Sequence, residues 1–150
     1  MLGHSNSATT LRVYAHVTAV LAALTLLGGC AASHSGTPAG AIVHVTERDF
    51  RITAPASVPA GRVRLIVHNA GPDAHELLLI RARAGHLPLR SDGVTVDEEA
   101  MHRATVGALE PGAPGATREL DVDLRPGSYA LICNMAGHYL GGMEAAITVR

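Results

Sequence analysis

The chain contains no lysine and no tryptophan, a single phenylalanine and only two cysteines. Every positive charge is an arginine, and these balance the acidic residues to a formal net charge of -1. Such a balance supplies no basic patch or stripe, so nucleic acid is not an expected partner. Aromatic residues make up only 3% of the sequence, so any core has to be built from Val, Leu, Ile and Ala. The β-branched share of the later segments then favours strands over helices. Also missing is any pair of histidines two residues apart, although the chain has nine histidines in all.

What is present begins with an apolar run, Val17 to Leu27, preceded by polar residues and Arg12. The run is too short for a comfortable transmembrane helix, which needs roughly 20 apolar residues, but it suits the hydrophobic region of a secretory signal. It ends in Leu27-Gly28-Gly29-Cys30, which resembles the bacterial lipobox, where small residues precede a cysteine that becomes lipidated. Residues 1–29 are therefore expected to be a signal peptide and Cys30 the lipidation site. Ordinary cleavage nearby and an uncleaved anchor are the alternatives. The small, polar residues after Cys30 make 30–40 a flexible, lipidated tether. At 150 residues the chain has room for one ordinary domain, expected over 41–150.

From residue 41 onward, short or alternating apolar runs are separated by Pro and Gly, the pattern of an all-β sandwich. Strands are predicted at 42–46, 49–53, 62–69, 75–82, 104–108, 117–124, 128–134 and 143–149. Pro59-Ala60-Gly61, Gly71-Pro72-Asp73, Pro111-Gly112 and Pro126-Gly127 mark turns between them. In the strand from residue 62, Val63, Leu65 and Val67 share one face while Arg62, Arg64 and His68 share the other. The stretch Val96 to Ala104 has Asp97, Glu98 and Glu99 crowded into what could be a first helical turn, where the dipole favours acids. It reads as a short helical insertion.

The C-terminal quarter carries the chemistry. Cys133, His138 and Met143 stand five residues apart, on a strand end, a Gly-rich loop and the next strand start. Such a loop can turn all three side chains toward one ion. A thiolate and two imidazoles with a weak axial thioether suit copper in both of its common oxidation states. His75, which opens a strand after the Gly71-Pro72-Asp73 turn, is the best-placed second imidazole. If Cys30 is lipidated, Cys133 is the only thiol left and cannot form an intramolecular disulfide. Met135 reads as packing inside the loop. His44, His68, His86 and His102 read as surface residues.

These residues resemble the cupredoxins, the family of plastocyanin, azurin and auracyanin. The resemblance covers about residues 41–150 and rests on Pro126-Gly127, Tyr129 and Cys133, followed by Gly137-His138 and Gly142-Met143. The Cys-x4-His-x4-Met spacing looks most like the auracyanin type. The resemblance implies a Greek-key β-sandwich of seven to eight strands and a single copper ion. Cys133 would be its thiolate ligand, His75 and His138 its imidazoles and Met143 its axial thioether. One departure is Glu76 directly after His75, where many members have an asparagine that ties the ligand loops together. Asn134 and Asn69 are candidates to supply that bracing.

The expected function is electron transfer by an exported protein on the outer face of the cytoplasmic membrane or in the periplasm. A lipid on Cys30 would hold it to the membrane, and a monomer is expected. Redox partners would dock near His138. An enzyme is not expected, because four protein ligands leave no open position for substrate. The alternative is a copper-binding module that delivers or buffers the ion, for example during oxidase assembly.

Overall fold

The computed structural model describes residues 40–150. The expected signal peptide, Cys30 and the tether up to residue 39 lie outside the described residues. Nine strands and one short helix follow in the order β1 (Ala41–Arg48), β2 (Arg51–Thr53), β3 (Ser57–Val58), β4 (Gly61–Asn69), β5 (His75–Ile80), α1 (Glu98–Met101), β6 (Thr105–Gly112), β7 (Thr117–Leu124), β8 (Gly127–Ile132) and β9 (Glu144–Val149). They form a four-stranded sheet, β2-β1-β4-β7, and a five-stranded sheet, β3-β9-β8-β5-β6. The fold is all-β, as expected. Among the described residues, no helix is long and apolar enough to cross a membrane.

Period-two alternation decides which face of the first sheet is buried. On β4, Val63, Leu65 and Val67 are buried while Arg62, Arg64 and His68 are exposed. Outside, Arg64 donates to both carboxylate oxygens of Asp121, at 2.7 and 2.8 Å. Inside, these residues meet Val43 and Val45 of β1, Leu77 and Leu79 of β5, Tyr129 and Leu131 of β8, and Ile147 of β9. Each such aliphatic side chain removed from water contributes about 1.5–3 kcal/mol before the entropy of ordering is counted. Cys133 and Met143 belong to the same cluster. The site therefore grows out of the core.

On β5 the alternation fails, because Leu77, Leu78, Leu79 and Ile80 are all buried. The outer face of this sheet carries a second cluster of Leu78, Ile80, Leu87, Val96, Ala130, Ile132 and Tyr139. The excursion between β5 and β6 supplies Leu87 and Val96 and covers that face. What the sequence presents as an insertion is thus a third layer over the sheet. Its helix is limited to Glu98–Met101, with Asp97 as the N-cap accepting from Ala100 N at 3.0 Å.

One strand is unforeseen, and several boundaries differ from expectation. The two-residue β3, paired in parallel with the end of β9, is too short to leave a periodic signal. Strand β6 runs through Pro111 to Gly112, where the sequence suggests a turn. Because β6 is the edge of its sheet, the missing N–H of Pro111 removes no bond from an interior ladder.

Candidate metal centre

Parallel pairing of β1 with β4 and antiparallel pairing of β5 with β8 bring four chain segments to one end of the sandwich. They are the turn after β1, the turn before β5, the end of β8 and the loop before β9. Each of the first three donors comes from a different kind of support. His75 is the first residue of β5, Cys133 follows the last residue of β8, and His138 sits in the 134–143 loop.

That loop is a succession of tight turns. His138 N donates to Met135 O at 2.9 Å, Gly141 N to Gly137 O at 2.9 Å, and Met143 N to His138 O at 3.0 Å. Gly137 and Gly142 have φ of 80° and 96°, the left-handed region in which a side chain would be strained. Cys133 N closes the loop by donating to Met143 O at 3.2 Å. This backbone bond ties both loop ends together.

The donor atoms converge. Cys133 Sγ lies 3.5 Å from Nδ1 of His138 and 4.0 Å from Nδ1 of His75, and the two rings stand 5.2 Å apart. One ligand atom from each of the three residues fits within a 4.8 Å cluster. Ligands bonded at about 2.0 and 2.3 Å in a trigonal plane are about 3.7 Å from each other, a spacing that the observed Sγ–N separations fit. His75 and Cys133 are fully buried, and His138 is half-buried. Met143 is fully buried at the end of the same loop, in the cluster that contains Cys133. Met135 is only partly buried and packs against the core, as expected.

Electrostatics prepare the group for a cation. Burial pushes the Cys133 thiol up, against the opposing pull of the Met135 and Glu76 backbone N–H groups. The free thiol therefore keeps its proton at neutral pH, and a metal held there would have to displace it. Burial pushes the His75 imidazole down, opposed by its hydrogen bond to Asp49, so the ring is neutral and able to ligate. A thiol that ionises on binding, two imidazole nitrogens and a thioether in reserve suit a soft or borderline ion, copper above all.

The bracing is divided between two asparagines. Asn69 Nδ2 donates to Asp73 O at 2.7 Å and Gly112 O at 2.9 Å, while its Oδ1 accepts from Gly71 N at 2.9 Å. It therefore shapes the turn that leads into His75. Asn134 instead ties the ligand loop to the covering layer. Its Oδ1 accepts from Val96 N at 2.5 Å, and its Nδ2 donates to Val96 O and to Glu98 Oε1.

Two neighbours have no counterpart in the sequence reading. Asp49 Oδ1 lies 2.9 Å from His75 Nε2. Phe50 turns out of the core, 54% exposed, with its ring centroid 5.5 Å from that of His138. Its ring lies over Gly141, where any Cβ would collide with it. Both residues sit at the β1–β2 turn, in a stretch where a strand was expected to begin at residue 49.

No protein-family model matches the sequence, and no curated protein does. Solved structures do. The dithionite-reduced auracyanin of the photosynthetic bacterium Roseiflexus castenholzii superposes with a TM-score of 0.56 at 20% identity, over 75% of this chain and 98% of that one. An azurin, Az-iso2, of the obligate methylotroph Methylomonas sp. strain J gives 0.55 at 14% identity, over 75% and 99%. Auracyanin A of Chloroflexus aurantiacus, described as a "blue" copper protein, gives 0.55 at 15%, over 75% and 100%. At such identities the likeness establishes the architecture.

Proposed function

We propose that this chain, a cupredoxin in fold, holds one copper ion between His75, Cys133, His138 and Met143 and carries single electrons between redox partners. The observation that supports this most is the convergence of Sγ and two Nδ1 atoms at the end of a buried core. When bound, copper supplies a one-electron couple that tolerates the same ligands in both states. The residues supply rigidity. Cys133 and Met143 are joined through the backbone, His138 is fixed by its turn, and Asn69 fixes the approach to His75. A frame that does not need to move between oxidation states keeps the barrier to electron transfer low.

His138 is the exit we favour for the electron. It is half-buried, and Phe50 and Leu140 beside it on the loop and turn are each 54% exposed. A small apolar patch of that kind suits brief docking. The protein is further proposed to be exported and anchored by a lipid on Cys30. Strand β1 runs from Ala41 toward Asp49 at the metal-centre end.

Copper delivery would use the same ligands and differs in whether the ion leaves. Copper-loaded protein should be reduced with ascorbate, exposed to a Cu(I) chelator and assayed for metal. We expect the ion to be retained and the colour to return on reoxidation. Loss of the ion on reduction would favour delivery.

A further inference from the structure

We infer that Asp49 is a positioning residue for the metal: its carboxylate fixes the tautomer and orientation of His75, and its charge lowers the reduction potential of the centre. The inference rests on the copper reading above. Within His75 the two ring nitrogens face different partners. Nδ1 looks toward Cys133 Sγ, and Nε2 lies 2.9 Å from Asp49 Oδ1. A carboxylate can only accept, so Nε2 carries the ring proton and Nδ1 keeps its lone pair for the ion.

The fold is built to hold this contact. In the parallel β1–β4 pairing Glu47 stands level with Asn69, and Ala70 N donates to Glu47 O at 2.8 Å. Asp49 and Gly71, each two residues further along the chain, are therefore neighbours. Phe50, with φ of 59°, reverses the chain at this point, so that Arg48 pairs with Arg51. Position 71 must then be small. A Cβ there would lie 2.7 Å from Asp49 Oδ1 and 2.9 Å from His75 Nε2, crowding both groups at once. His75 has no exposed surface and the Asp49 side chain is 26% exposed, so water screens the pair only partly.

A carboxylate hydrogen-bonded to the far nitrogen of a ligating imidazole raises the ring's basicity. The gain is larger for the doubly charged ion than for the singly charged one. Asp49→Asn retains an acceptor oxygen at the same position and removes only the charge. In the purified full chain loaded with copper, we expect this variant to keep its visible spectrum and to bind Cu(II) relative to Cu(I) about tenfold more weakly, a rise in potential of about 59 mV. An unchanged potential would overturn the role of the charge.

A second readout needs no metal. In the metal-free full chain, the Hε2 proton of His75 should give a slowly exchanging NMR signal that is lost in Asp49→Ala. Absence of that signal from the native chain would overturn the clamp, whatever the variants do. If the native chain gave no coloured copper form, the copper reading would fall, and the NMR result alone would still decide the clamp.

Discussion

Cys133→Ser will bind Cu(II) more than ~100-fold more weakly than the native chain, beyond the ~10–100-fold that removal of an outer partner typically costs. The hydroxyl has nearly the shape of the thiol, and the Met135 and Glu76 backbone N–H groups can hydrogen-bond it in this fully buried position, so the fold should survive. What is lost is the one donor that becomes an anion on binding. The remaining imidazoles are neutral, and the backbone N–H groups of Met135 and Glu76, which now face the sulfur, would face an oxygen that stays protonated. Competition with a chelator of known affinity measures the effect. An affinity within about tenfold of native would mean that the thiol is packing and not a ligand.

The second large effect concerns the frame behind the site. Glu47 is fully buried near the end of β1, and its carboxylate pairs with Arg118 of β7, whose other terminal nitrogen donates to Glu110 O of β6. This one guanidinium links the two sheets at the metal-centre end. Arg118→Met should cost about 3–5 kcal/mol at neutral pH, because it leaves a buried carboxylate without its countercharge. Burial already pushes the Glu47 carboxyl above its ordinary range, against the pull of Arg118. A raised folded-state value means that the group's contribution to stability is complete below the unfolded-state value and fades as pH rises through the folded one. Without Arg118 the rise is larger, so the deficit of the variant should shrink as Glu47 takes up its proton. Urea unfolding at neutral pH and near ~pH 4 tests this. A deficit independent of pH would place the loss in packing alone.

How much of this could be read from the sequence depends on how local each feature is. Cys133, His138 and Met143 lie on one short segment, so their spacing alone suggests a shared ion. The buried face of β4 follows from strict alternation. His75 is harder, being distant in sequence, but it opens a strand directly after a turn. Asp49 left no signal. Its place beside His75 depends on β1 lying parallel to β4 in a register that only the folded sheet reveals. Asn134 was legible as a brace but not its partner Val96, because the excursion from residue 81 to 104 reads as an insertion until β5 is seen buried on both faces. Phe50 leaves no signal either. Its place over Gly141 depends on the β1–β2 turn meeting the ligand loop, a contact between segments distant in sequence.

The most direct test is the visible spectrum of the purified protein titrated with Cu(II). The account predicts an intense band near ~600 nm that saturates at one ion per chain, bleaches reversibly with ascorbate and is absent from Cys133→Ser. Copper bound without that band, or the same band in the serine variant, would contradict it.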